Sequence, residues 1–94
     1  MPVVGLLSLE LHLPSARSLK DKRMVLRSVK DRLHKLNVAV AEIGHLELRQ
    51  RSRLAIVAVG LEQGVVERSL EKAVDEAERR DAGIVVSTDL EWLT

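Results

Sequence analysis

The sequence contains no cysteine, phenylalanine or tyrosine and only one tryptophan. The lack of cysteine excludes disulfides, thiolate metal sites and cysteine nucleophiles. With a single aromatic residue, the core must be built mainly from Leu, Val, Ile and Ala, and only Trp92 is available to stack on a nucleic-acid base. No apolar run approaches the ~18 residues that a membrane span needs. We therefore expect a cytoplasmic protein with an aliphatic core and no membrane contact.

The residue patterns that usually carry catalysis are also missing. His12, His34 and His45 do not have metal-ligand spacing, and the five glycines do not form a phosphate-binding loop. No serine lies in a nucleophile elbow. We therefore expect a non-enzymatic protein with no metal, no cofactor and no catalytic residue. A small-substrate enzyme on the same fold is a less favoured alternative that only fold analogy supports.

Hydrophobic periodicity divides the chain into six elements with short connections. Alternation or continuous apolar character predicts strands, and 3.6-residue periodicity predicts helices, in the order βαββαβ. The strands cover 5–13, 38–43, 54–61 and 84–93, and the helices cover 18–36 and 65–80. Right-handed crossovers make this a ferredoxin-like α+β sandwich, a single domain over residues 1–94. Its antiparallel sheet has the order 4-1-3-2 with both helices on one face, and a swapped dimer of the same elements is the alternative.

The first helix carries its own start signal. Ser18 is a suitable N-cap, and Asp21 three residues later resembles the partner in a capping box. The core-facing residues are Leu19, Leu26, Val29, Leu33 and Leu36, with Val25 at the margin. Lys22 falls in the same stripe, and we expect its stem to cover apolar surface while its ammonium reaches water. In the last strand, Ile84, Val86, Leu90 and Trp92 share one parity, which predicts that they point inward.

Charge is distributed unevenly along the chain. Residues 1–53 carry 11 basic and 5 acidic side chains, whereas residues 54–94 carry 4 basic and 9 acidic ones. A basic stripe follows the first helix, and an acidic stripe follows the second. Their members are Lys20, Arg23, Arg27, Lys30 and His34, and Glu67, Glu71, Asp75 and Glu78. Right-handed crossovers send both stripes outward, the basic one beside strand two and the acidic one beside strand four.

An arginine-bearing hairpin follows the second strand, at the end of the sheet where the first helix begins. Arg49, Arg51 and Arg53 are therefore expected to approach the start of that helix. Together they predict a surface for RNA or ribosomal phosphate, with contacts to the backbone and weak sequence preference. The candidate residues are Arg17, Lys20, Arg23, Arg27, Lys30, Arg49, Arg51 and Arg53. The alternative is that these charges only keep a helix face hydrated.

The sheet face opposite the helices offers a second surface. Val4 and Leu6 lie on the outward parity of the first strand, and the third strand is apolar on both parities. An aliphatic patch there favours a homodimer or a partner protein. The chain also has only three Asn and Gln residues, against 31% charged residues, which is consistent with a heat-adapted source.

The stretch around the first helix resembles the YlxP-like family of small bacterial proteins, a family named as a domain of unknown function. The similarity is carried by three motifs and extends over essentially the whole chain. They are Ser18-Leu19-Lys20 with Lys22-Arg23, Lys30-Asp31-Arg32-Leu33, and Asn37-Val38. The resemblance implies a ferredoxin-like fold and no established activity. Members are often encoded near translation-initiation and ribosome-maturation factors, which implies a ribosome- or RNA-linked role. The family often has Trp before Gln-Arg in the loop, where this chain has Arg49, so the loop is more basic and lacks an aromatic contact.

Overall fold

A computed structural model describes residues 1–94. The elements are β1 (Val3–His12), α1 (Leu19–Leu33), β2 (Ala39–Gly44), β3 (Arg51–Gly60), α2 (Gln63–Arg80) and β4 (Val85–Trp92). The strands form one sheet in the order β2-β3-β1-β4, with every neighbouring pair antiparallel. This is the predicted order read from the opposite edge, so the ferredoxin-like α+β arrangement is confirmed. Neither helix is long and apolar enough to span a membrane.

The core lies between the helices and one face of the sheet. On β1, Leu7, Leu9 and Leu11 are buried, and each is followed by a more exposed residue. Leu7 lies beside Ile56 of β3 and Leu9 beside Leu54, because directly paired residues project to the same side of a sheet. The apolar sides of both helices complete this cluster. The other side chains of β1 and β3 therefore lie on an open face that no helix covers.

Helix α1 begins where the sequence predicts. The Ser18 hydroxyl accepts a hydrogen bond from the Asp21 backbone N–H at 3.0 Å. The Asp21 carboxylate accepts from the Arg17 N–H at 3.1 Å, one residue earlier than in a standard capping box. These two bonds satisfy donors at the start of the helix and fix the direction in which the chain enters it. The helix ends at Leu33, three residues before the predicted end at Leu36.

The prediction for the inward residues of β4 is wrong at Val86, which is 63% exposed. The pairing of β1 with β4 shifts register between Glu10 and Leu11, and this β-bulge brings Val85 opposite Leu11 instead. A bulge inserts one extra residue and reverses the facing of the residues beyond it, which periodicity alone does not reveal. Trp92 packs against the core as predicted.

A glycine lies where β1 passes beneath α2. Gly5 is directly paired with Trp92, and a Cβ at this position would lie 3.0 Å from both the Leu70 and Val66 side chains. A Cβ at position 5 would require these two side chains to give way by a few tenths of an ångström. This close approach seats α2 over β1 and β3, while β4 stays largely exposed.

Candidate nucleic-acid interface

The basic stripe lies on one exposed side of α1. Lys20, Arg23 and Arg27 are exposed, and Lys30 is half-buried. A groove of about 320 Å³ runs along this side and is lined mainly by Arg23, Arg27, Lys30 and His34. Glu42 of β2 also lines it, which places the stripe beside strand two as predicted. We call Lys20, Arg23, Arg27 and Lys30 the basic flank.

The basic flank has no acidic partner. The molecule's seven ion pairs within 4.0 Å all involve other basic residues. Asp31 lines the same groove but lies outside this distance from all four cations. The flank therefore presents positive charge that is not neutralised by direct contact.

Lys22 does not reach water, contrary to the sequence-based expectation. Its side chain is only 2% exposed, and its Nζ donates to the backbone carbonyl of His45 at 2.6 Å. The same nitrogen lies 3.1 Å from Glu42 Oε2, which also accepts a hydrogen bond from the Ser52 hydroxyl at 2.7 Å. The ammonium stays inside because two oxygens at the end of β2 converge on it, which sequence periodicity could not show. A buried charge needs such partners.

This pairing has a consequence for the basic flank. Glu42 is the acid of β2 that lines the groove, and it would otherwise attract Arg23 or Lys30. Because its carboxylate is paired with Lys22, it does not form an ion pair with the exposed cations of the flank. The buried ion pair therefore preserves the positive field of the surface beside it.

The loop between β2 and β3 rests on the start of α1, as predicted. Arg49 Nη1 donates to the Arg17 carbonyl at 3.2 Å. Gln50 Nε2 lies 3.3 Å from the carbonyl oxygens of Pro14 and Ala16. Segments more than 30 residues apart in sequence thus meet, and Arg49 and Arg17 extend the basic flank at its N-terminal end.

Arg51 and Arg53 do not join this surface, so that part of the prediction is wrong. Arg53 Nη1 lies 3.0 Å from Glu10 Oε1, and Arg51 Nη2 lies 3.4 Å from Glu10 Oε2, on the open face of the sheet. Ser52 between them is fully buried toward the helices. Side chains alternate along a strand, so the inward placement of Ser52 sends both arginines to the opposite face.

Glu10 is the centre of a polar cluster that sequence reasoning missed. His45 Nε2 lies 3.1 Å from both carboxylate oxygens, and Arg51 and Arg53 each donate to one of these oxygens. Burial by itself would raise the pKa of Glu10, but the hydrogen bonds from His45, Arg53 and Arg51 outweigh it and hold the pKa below its ordinary value of 4.5. The sequence alone carried no signal for this cluster, because the register of β1 and β3 is what pairs Glu10 directly with Arg53.

His45 connects this cluster to the interior. Its backbone has φ 59°, a left-handed conformation that few residues other than glycine and asparagine adopt. In this conformation its carbonyl accepts from Lys22, while its ring contacts Glu10. No group of three or more His, Asp or Glu side chains is placed to hold a metal ion.

The acidic stripe of α2 lies on the opposite side of the molecule. The Glu78 carboxylate accepts hydrogen bonds from the backbone N–H groups of Gly83 at 2.6 Å and Val85 at 3.1 Å. This contact places the stripe beside β4, as predicted. The helices are joined by a different pair, Arg32 and Glu76 at 3.9 Å, which belongs to neither stripe.

The sheet order and the two helices define a ferredoxin-like α+β domain. The chain belongs to the family described as Protein of unknown function (DUF503), whose model matches residues 4–90. It is 33% identical over 73 residues to the uncharacterized protein YlxP of Bacillus subtilis (strain 168), covering 77% of this chain and 79% of that protein. The family resemblance noted in the sequence is thereby confirmed.

Solved structures of the same fold include designed and natural proteins. The de novo designed proteins Foldit4 and Ferredog-Diesel are 11% and 12% identical to this chain, with TM-scores of 0.59 and 0.60. Those alignments cover 100% and 94% of this chain and 98% and 83% of the designed chains. A C-terminal segment of the alpha subunit of aIF2 from Pyrococcus abyssi is 22% identical with a TM-score of 0.53, covering 98% of this chain and 49% of that one. At these identities the similarity shows the fold alone.

Proposed function

We propose that this protein is a non-enzymatic binding protein that contacts RNA or ribosomal phosphate through the basic flank of α1. The observation that carries the proposal is that Lys20, Arg23, Arg27 and Lys30 share one side of a helix without an ion-pair partner. Phosphate contacts supply most of the affinity in such complexes, and unpaired cations in a row are the groups that make them. Arg17 and Arg49 extend the same surface.

The role of the loop arginines in this proposal differs from residue to residue. Arg49 lies beside the start of α1, where its charge adds to the flank. Arg51 and Arg53 share the carboxylate of Glu10 on the other face of the sheet and are assigned to the fold. The RNA footprint we propose therefore consists of Arg17, Lys20, Arg23, Arg27, Lys30 and Arg49.

A filter-binding titration against ribosomal RNA, at two or more salt concentrations, tests the proposal. Each phosphate contact contributes about 0.7–0.9 to the slope of log affinity against log salt, so changing the four flank cations to Ala is expected to lower the slope by about 3. The matched control changes four exposed cations of α2, Arg68, Lys72, Arg79 and Arg80, to Ala. It removes the same net charge and is expected to retain most of the affinity.

Two results would contradict the proposal. One is no binding by the unmodified protein at ~50 mM salt, where phosphate contacts are strong. The other is equal loss of affinity in the flank variant and its α2 control, which would indicate a non-specific charge effect. Either result would leave the basic flank as a hydrated helix face.

A homodimer that uses the open sheet face is a second candidate function. Val59 is 61% exposed and Leu93 is 50% exposed on this face, next to the half-buried Val4, Leu6 and Val57. Aliphatic side chains grouped in this way favour burial against another protein surface. Sedimentation velocity of the unmodified protein and of Val57→Lys tests it. A dimer that dissociates in the variant supports this function, and a monomer at high concentration excludes it.

A further inference from the structure

The exposed edge of β4 is a surface that the proposed RNA contacts do not use. β4 pairs only with β1, and the six residues from Val86 to Glu91 are all exposed. The Leu93 N–H donates to the Val4 carbonyl, so Leu93, Glu91 and Asp89 direct their backbone groups toward β1. In an antiparallel ladder the intervening residues direct theirs outward. Thr88, Leu90 and Trp92 therefore present unpaired backbone groups at the edge.

The N-terminal end of this edge is already engaged. The outward N–H of Val85 donates to the Glu78 carboxylate of α2. This shows that a group placed outside β4 is within reach of the acidic stripe of α2. Beyond that point no strand pairs with the edge, and its residues are exposed up to Glu91.

Acidic side chains border the edge on both faces of the sheet. On the open face, Asp89 and Glu91 lie opposite Ser8 and Leu6. On the helix face, the stripe that ends at Glu78 continues through exposed residues spaced about one helical turn apart, which are Glu67, Glu71 and Asp75. These three residues, together with Asp89 and Glu91, have no cation within 4.0 Å. β4 itself contains no basic residue.

Natural proteins usually protect an exposed edge with charged side chains, proline or a bulge. Here the bulge lies at the start of β4, and the part from Thr88 to Trp92 carries only the acidic Asp89 and Glu91, which repel an acidic strand and attract a basic one. Leu90 is 40% exposed at the centre of this part and offers an apolar contact. The edge therefore combines free backbone hydrogen-bonding groups, one apolar contact and acidic side chains on both faces.

We infer that the β4 edge binds an extended basic segment of a partner protein by β-strand addition, with its cations placed between Asp89, Glu91 and the acidic stripe of α2. Backbone hydrogen bonds supply affinity in this mode, and the flanking side chains supply specificity. A second copy of the chain fits this edge poorly. Antiparallel pairing of two β4 strands about Leu90 places Asp89 opposite Glu91 of the other copy, and opposed like charges are destabilising.

Fluorescence anisotropy with a labelled synthetic peptide of alternating lysine and valine, about as long as β4, tests the inference with the full-length protein. We expect saturable binding by this peptide and none by a peptide of alternating glutamate and valine. Binding is expected to weaken at least tenfold in Asp89→Lys/Glu91→Lys. The matched control, Asp31→Lys/Glu47→Lys, makes the same charge change at exposed positions away from β4 and should bind like the unmodified protein.

A backbone variant separates strand addition from simple charge attraction. Leu90→Pro removes an outward N–H, and proline is tolerated at such edge positions, so the pairing of β4 with β1 should persist. We expect it to abolish peptide binding, whereas Met24→Ala on the exposed surface of α1 should not.

Three outcomes would overturn the inference. They are equal binding of the two peptides, undiminished binding by Leu90→Pro in a protein that remains folded by circular dichroism, and a dimer that Leu90→Pro dissociates. The last outcome would assign the edge to a second copy. None of these results depends on whether the basic flank binds RNA.

Discussion

The two helices of this domain cover the same sheet with different side chains. α2 buries only aliphatic residues, which are Val66, Leu70, Ala73 and Ala77, and its two alanines let it lie close to β1 and β3. α1 buries Lys22 along with Val25, Leu26, Val29 and Leu33. The buried side of α1 therefore includes a charged side chain, Lys22, which is paired with Glu42, whereas the buried side of α2 contains only aliphatic side chains.

Each helix is also hydrogen-bonded to a neighbouring segment through one charged side chain. Lys22, near the start of α1, donates to a carbonyl at the end of β2. Glu78, near the end of α2, accepts from two backbone N–H groups before and at the start of β4. The contact of Lys22 is buried, and the contacts of Glu78 are more exposed. This difference indicates that the β2–β3 loop is held more firmly than the turn before β4.

Removing the buried charge is expected to have the largest effect on stability. Lys22→Met leaves Glu42 and the His45 carbonyl without their partner, and breaking a buried ion pair typically costs about 3–5 kcal/mol. Urea denaturation should show this loss of unfolding free energy. Lys72→Met, at an exposed position of α2, should change it by less than about 0.5 kcal/mol. Similar losses of unfolding free energy in the two variants would show that the buried Lys22 does not stabilise the fold more than an exposed lysine does.

A double variant sharpens this test. Adding Glu42→Gln to Lys22→Met removes the unpaired carboxylate, and neutral networks cost less to bury than isolated charges. We expect the double variant to recover at least half of the lost stability. No recovery would show that packing of the lysine stem, and not the ion pair, is responsible.

Glu10→Gln is expected to have an intermediate effect that depends on pH. Hydrogen bonds to a charged group contribute about 1.5–3 kcal/mol, so the variant should lose up to that amount at neutral pH. The pKa of Glu10 lies below its ordinary value of 4.5, so its ionised form stabilises the fold above that pH, and the stabilisation is lost as the pH falls through the lowered pKa. Melting curves of the two proteins should therefore converge in acid. A gap that persists unchanged at low pH would contradict this account.

The helix starts provide the smallest predicted effect. Ser18 caps α1 through its side chain, whereas Glu62 at the start of α2 makes no side-chain cap hydrogen bond. Ser18→Ala should reduce the unfolding free energy by about 1 kcal/mol, while Glu62→Ala should be nearly neutral. Chemical denaturation of both variants measures the difference. Equal losses would show that the serine hydroxyl is not what stabilises the start of α1.

Periodicity and crossover handedness were sufficient to predict the sheet order and both charged stripes. They specify which side of an element a residue occupies, and this places Lys20 and Glu78 correctly. They do not specify partners. The burial of Lys22 and the position of Arg53 depend on a carboxylate brought in by another strand. The inward placement of Val85 depends on a bulge that arises only when β1 and β4 pair. These features follow from tertiary contacts and could not be obtained from one segment at a time.

The backbone of His45 turns back at the edge of the sheet so that one residue has contacts on both of its sides. Its carbonyl oxygen accepts from Lys22 in the first turn of α1, and its ring contacts Glu10 of β1, whose carboxylate is shared with Arg51 and Arg53 of β3. One residue therefore links the polar cluster of the open face to the helix that carries the basic flank.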